Sequence, residues 1–174
     1  LFVGKRPLRE QLPPPEPSAS ERLLQPPAPD RVVIAADQNR WHLAIVGDNR
    51  PESVFAELAA LCACAVPLGI YQDSTATEVG YVIDHSDSLV VVCDPERAPW
   101  VLAVADGTPH VRHSVIDTTE APPEWQVPAG WLTLAEVTDA SAEEPSALID
   151  PDAIAAIMYT SGTTGAPKGV VSRY

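Results

Sequence analysis

Three segments of this chain are nearly continuous apolar runs: Leu43-Ala44-Ile45-Val46, Leu89-Val90-Val91-Val92-Cys93 and Ala153-Ile154-Ala155-Ala156-Ile157-Met158-Tyr159. A strand with one wet face alternates apolar and polar side chains, so runs without alternation expect cover on both faces of a sheet. The intervening segments supply that cover. Gly47-Asp48-Asn49 closes the first run as a turn, and Pro51 suits the first position of a helix. Val54, Leu58, Leu61, Cys62 and Ala65 then recur at helical spacing and predict one apolar face, with Pro67 ending the helix. Val66 to Ile70 reads as a second short strand. Thr75 and Glu78 stand at capping-box spacing, with Ser74 a competing cap, and Val79, Val82 and Ile83 form the next helical stripe. Asp94-Pro95 stops the β-branched run before it. A helix is expected around Trp100 to Ala105, a strand around Val111 to Ile116, and one short helical turn inside a loop at Trp131 to Val137. Strands alternating with helices indicate an α/β fold with a largely parallel sheet and flanking helices.

Residues 1–42 read differently. Pro13, Pro14, Pro15, Pro17, Pro26, Pro27 and Pro29 are interleaved with Glu, Ser and Gln, which predicts an extended or disordered segment; a polyproline ligand for a partner is the alternative. The chain therefore divides into this Pro-rich segment and a body at 43–174. The formal net charge is −13 and the acid excess lies in the body. That balance argues against nucleic-acid binding, which needs cations to neutralise phosphates, and fits solubility.

Cys62, Cys64 and Cys93 are too few for a secreted disulfide framework. Cys62 and Cys64, two apart on a helix, do not share a face and read as small core residues rather than metal ligands. His110 and His113 fall on opposite faces of the expected strand, so a shared metal is again the weaker reading. His85 reads as a cap or a solvent-facing side chain. Trp41, Trp100, Trp125 and Trp131 read as packing residues rather than a base-stacking platform. Leu58 to Ile70, the longest near-apolar run, is too short to span a bilayer, and Lys5-Arg6 interrupts the N-terminus before a signal-peptide core can form. The expectation is a soluble cytoplasmic chain without a transmembrane segment. Its first residue is Leu rather than Met, a hint that it is not a complete gene product.

The last apolar run leads into Thr160-Ser161-Gly162-Thr163-Thr164-Gly165-Ala166-Pro167-Lys168-Gly169-Val170. Glycines let backbone N–H groups turn toward an anion without Cβ clashes, and successive N–H groups form an anion-binding nest. Serine and threonine hydroxyls add donors, and Lys168 supplies a point charge for phosphate oxygens. The pattern is a triphosphate cradle. It is not a Walker A loop, because no Gly-Lys-Ser/Thr occurs.

From Tyr159 to Val170 the sequence resembles the phosphate-loop signature of the adenylate-forming (AMP-binding) superfamily, which comprises acyl-CoA synthetases, nonribosomal peptide adenylation domains and luciferases. Val46-Gly47-Asp48-Asn49-Arg50-Pro51-Glu52, Gly69-Ile70-Tyr71-Gln72-Asp73-Ser74 and Tyr81-Val82-Ile83-Asp84-His85-Ser86-Asp87 resemble bacterial long-chain fatty acyl-CoA synthetases in particular. The resemblance covers about residues 43–171 and implies part of the large N-terminal domain. It implies a two-step reaction. A carboxylate attacks the α-phosphate of ATP to give acyl-AMP and pyrophosphate, and the thiol of coenzyme A then displaces AMP to give a thioester. It further implies that Thr160, Ser161, Gly162, Thr163, Thr164, Gly165 and Lys168 hold the β- and γ-phosphates.

The same resemblance implies Mg as cofactor, a fatty acid or other carboxylate as substrate, and room for a peripheral membrane contact in the full enzyme. Residues 1–42 do not resemble the family. The acid that ligates Mg, the adenine pocket, the ribose-binding aspartate, most of the acyl tunnel and the C-terminal catalytic lysine belong to family regions that this chain does not contain. No catalytic residue is therefore expected here, and the expectation is a fragment inactive alone. The alternatives are a fragment of another adenylate-forming ligase, such as a peptide-synthetase adenylation domain, and a non-enzymatic truncated product.

Overall fold

The computed structural model describes residues 41–139, 150, 152–160 and 166–174. The expectation of disorder across the proline-rich segment lies outside them, except at Trp41 and His42. A seven-stranded sheet runs through the described chain in the order β5-β4-β3-β1-β2-β6-β7. Its strands are β1 (His42–Val46), β2 (Val66–Ile70), β3 (Ser88–Cys93), β4 (His113–Ile116), β5 (Leu132–Thr133), β6 (Ile154–Thr160) and β7 (Lys168–Arg173). Every neighbouring pair is parallel except β6 and β7, which are antiparallel. Among the described residues the α-helices are α1 (Pro51–Cys62), α2 (Ala76–His85), α3 (Ala98–Ala103) and α4 (Leu134–Asp139), with a 3-10 turn at Ala105–Gly107. This is the α/β architecture that the apolar runs required.

The sheet has a core on each face, as strands without alternation demand. Ala44 and Val46 of β1 join Leu68, Val79, Val82, Ile83, Val91 and Val101 on one side. Leu43 joins Trp41, Ala56, Ala60, Val90, Val92 and Val115 on the other. Trp41 and Trp131 are buried, and Trp100 and Trp125 pack against the first core, in keeping with packing roles. The chain steps from β1 to β2 in one direction and then to β3 on the other side of β1. Such a reversal opens a crevice at the carboxyl ends of the strands, where open α/β sheets bind ligands.

Several local expectations are corrected. In α1 the buried residues are Ala56 and Ala60, whereas Val54, Phe55 and Leu58 are exposed. Two faces of this helix carry apolar residues at i, i+4 spacing, and the sheet takes the one whose small side chains let the helix sit close. The helix ends at Cys62 rather than at Pro67. Cys64 follows with a left-handed φ of 55°. Its N–H donates to the Leu61 carbonyl at 3.0 Å and the Ala65 N–H to the Ala60 carbonyl at 2.8 Å, the paired bonds of a Schellman stop. Cys64 is thus buried outside the helix, and Cys62, inside it, is exposed rather than core.

Pro67 lies within β2, between β1 and β6. The Val66 N–H donates to the Trp41 carbonyl, so Val66 points its polar groups at β1 and Pro67 points the other way. On that side pairing with β6 begins only at Leu68, so the missing N–H falls ahead of the ladder. Thr75, not Ser74, caps α2. The stretch expected as one helical turn at 131–137 is a short strand plus a helix, with a second capping box in which the Glu136 N–H donates to Thr133 Oγ1 at 3.1 Å and the Thr133 N–H to Glu136 Oε2 at 2.7 Å. His110 precedes β4, which starts at His113, and hydrogen-bonds through Nε2 to the Ile83 carbonyl at 3.1 Å. β6, expected to be buried, is half-buried to exposed, and β7 was not anticipated.

Candidate phosphate-binding site

The segment expected to bind phosphate joins β6 to β7. Thr160, the last residue of β6, is in register with Lys168, the first of β7, and Tyr159 with Gly169. Lys168 is therefore a strand residue, not the end of a loop. Thr160 and Lys168 are both exposed, facing each other across the base of the hairpin. Ser161, Gly162, Thr163, Thr164 and Gly165 lie outside the described residues. The two stem residues carry a hydroxyl donor and an ammonium group, a donor set suited to phosphate oxygens.

Gly169 has a role that its place in a glycine-rich motif does not suggest. A Cβ there would stand 3.0 Å from Ile157 Cγ2 and 3.4 Å from Tyr159 Cζ. The glycine makes room first for the Ile157 methyl and lies in ordinary contact range of the Tyr159 ring, both on the paired strand. The Tyr159 hydroxyl in turn hydrogen-bonds His85 Nδ1 at 2.8 Å, with the two rings edge to face at 5.8 Å between centroids. His85 stacks on Tyr81, one helical turn earlier on α2, at 5.3 Å. Burial, and then Tyr81 and Asp87 nearby, push the Tyr159 hydroxyl above its ordinary pKa. His85 is solvent-exposed, in keeping with the expectation of a solvent-facing side chain, and its bond to Tyr159 is the part that expectation lacked. The i, i+4 pair Tyr81 and His85 was the available signal, but its partner lies 74 residues away on β6.

The carboxyl end of α2 is held firmly. His42 Nδ1 hydrogen-bonds the Ser86 carbonyl. The Ile83 carbonyl receives His110 Nε2 and, at 3.2 Å, the Ser86 hydroxyl. These groups satisfy carbonyls that a helix end leaves without intrahelical partners.

A cavity of about 480 Å³ opens beside the carboxyl ends of β1, β2 and β6, lined among others by Asp48, Asn49, Tyr71, Gln72, Met158 and Tyr159. One wall is the Gly47-Asp48-Asn49 turn, tied to the end of β3 through buried Asp94. The Asp94 carboxylate accepts from the Asp48 N–H at 3.2 Å and from Arg97 Nη1 at 3.0 Å, while Arg97 Nη2 donates to Asp48 Oδ1 at 2.8 Å. A Cβ on Gly47 would stand 3.1 Å from Asp94 Oδ2. Burial, and then the Asp94 carboxylate, push the neighbouring Cys93 thiol above its ordinary pKa. Among the described residues no group of three or more His, Cys, Asp or Glu side chains could hold a metal ion.

A family model described as "AMP-binding enzyme" matches residues 37–174. The chain belongs to this family. Long-chain-fatty-acid–CoA ligase ACSBG1 of Rattus norvegicus is 30% identical over 137 residues, covering 74% of this chain and 19% of the ligase. A medium/long-chain-fatty-acid–CoA/3-oxocholest-4-en-26-oate–CoA ligase of Mycobacterium tuberculosis (strain CDC 1551 / Oshkosh) is 31% identical over 126 residues, covering 72% of this chain and 23% of the relative. The structure of acetoacetyl-CoA synthetase from Streptomyces lividans superposes with a TM-score of 0.70 at 22% identity, covering 78% of this chain and 22% of the synthetase. The shared fold is that of the N-terminal domain of adenylate-forming enzymes. The chain spans about a fifth of the length of these relatives. Among the described residues no helix is long and apolar enough to cross a membrane.

Proposed function

We propose that the chain is part of an ATP-dependent ligase that activates a long-chain fatty acid as acyl-AMP and passes it to coenzyme A. The observation that carries this reading is the hairpin itself: a glycine- and hydroxyl-rich loop whose two stems set Thr160 opposite Lys168. The fatty-acid choice rests on relatives named as fatty-acid–CoA ligases at about 30% identity.

Lys168 and the Thr160 hydroxyl bind β- and γ-phosphate oxygens, together with Ser161, Gly162, Thr163, Thr164 and Gly165. Charge builds on the bridging and β-phosphate oxygens as pyrophosphate leaves, and Lys168, on an exposed strand end, is suited to meet it. Mg, when bound, would neutralise the triphosphate and orient the α-phosphate for in-line attack. The described residues present no acid cluster for it.

The test is carboxylate-dependent exchange of pyrophosphate into ATP by the intact enzyme that carries this segment, with fatty acids in one arm and amino acids in the other. Exchange with long-chain fatty acids is expected. Exchange with amino acids alone would identify a peptide-synthetase type of ligase, and no exchange with any carboxylate would reject the reading.

A further inference from the structure

The aromatic cluster behind the phosphate hairpin has no part in the reaction just described, yet it touches both stems of the loop. Tyr159 sits one residue before Thr160 on β6, and its ring lies over Gly169, one residue after Lys168 on β7. Its hydroxyl is bound to His85, and His85 is stacked on Tyr81. One side chain thus bridges the strand that enters the loop, the strand that leaves it, and α2. The helix end that carries His85 is anchored in turn by His42, Ser86 and His110. An edge hairpin without such a tie would set the spacing of Thr160 and Lys168 only through its own ladder. Each of those residues needs to reach phosphate oxygens of one molecule, so small changes in their orientation cost affinity.

We propose that Tyr159, held by His85, is the positioning residue of the phosphate loop. It fixes the two stems against α2 so that Thr160 and Lys168 face the nucleotide in a ready-made arrangement, with its ring against Gly169. The inference rests on the proposed ATP chemistry and adds two positioning residues, His85 and Tyr159, to it.

The experiment uses the intact enzyme with four variants: His85→Phe, which keeps a ring but loses the hydrogen bond, Tyr159→Phe, the double variant, and His85→Asn, whose amide can replace Nδ1. The KM for ATP in pyrophosphate exchange is expected to rise about fivefold in each Phe variant, the scale of one hydrogen bond, with little change in kcat. The double variant is expected to match the single ones, and His85→Asn to stay near the parent. In ligand-free protein, amides of Lys168, Gly169 and Val170 are expected to exchange faster in the Phe variants and at the parent rate in His85→Asn. Effects that multiply in the double variant, unchanged exchange at the stems, or a lowered melting temperature with KM unaltered would each overturn the proposal. A parent enzyme without ATP-dependent exchange would reject the proposed function instead, and the amide measurement, which needs no ATP, would then decide the clamp alone.

Discussion

At the scale of single residues, the loop motif was readable because its chemistry is local: glycines, hydroxyls and a lysine in one stretch. What Gly169 and His85 do was not readable, because both depend on neighbours brought in by pairing and packing. Two substitutions separate the two kinds of role. On the proposed reading, Lys168→Ala in the intact enzyme removes a charge that meets the departing pyrophosphate, and loss of one such contact is expected to cost about 2–4 kcal/mol of transition-state stabilisation. Single-turnover kinetics of acyl-AMP formation should show the slowing in adenylation; unchanged adenylation with slower thioester formation would contradict the role. Gly169→Val acts through packing. Its side chain would meet Ile157 and Tyr159, and overpacking of this kind costs about 1–3 kcal/mol. Chemical denaturation should show that loss, partly restored by Ile157→Ala in the same molecule, where the neighbouring bulk is removed.

At the scale of elements, periodicity located helices and strands better than it located their buried faces. The stripe through Val54 and Leu58 is real, but α1 turns Ala56 and Ala60 to the sheet. The sequence holds no record of which of two apolar faces fits more closely. Short β5 carries too few residues to show a period. The N-terminus of α2, by contrast, was legible, because a capping box is set by two residues three apart.

Its stability follows from that pair. Thr75→Ala removes an N-cap and should cost about 1 kcal/mol in denaturation. Glu78 accepts from the Thr75 N–H at 2.7 Å and from its hydroxyl at 2.9 Å, and those bonds, the backbone one first, hold its pKa below the ordinary value of 4.5. The folded state therefore favours ionised Glu78. Its stabilisation is complete above the ordinary carboxylate value and is lost as pH falls through the lowered folded one. Glu78→Gln should flatten the acid side of the stability profile in that window; a profile identical to the parent's would show that the bond contributes nothing.

At the scale of the whole molecule, the α/β class was legible because strands alternate with helices along the sequence and the apolar runs at 43–46 and 89–93 demand two covered faces. The described structure covers β1, β2 and β3 in this way, but not the hairpin. Met158, Val170 and Val171 on β6 and β7 are exposed, as are Val54, Phe55 and Leu58 on α1. Apolar surface of this kind on a sheet edge favours association. The 174-residue chain made alone should therefore bind a hydrophobic dye and associate as its concentration rises, which light scattering would follow. A soluble monomer with slow amide exchange from 43 to 160 would contradict this. The same chain is expected to lack acyl-adenylating activity. Pyrophosphate departure needs positioned charge on both sides of the α-phosphate, and on the proposed reading the hairpin would supply one side. Fatty-acid-dependent pyrophosphate exchange above a protein-free control would show that this segment does more of the chemistry than its geometry provides.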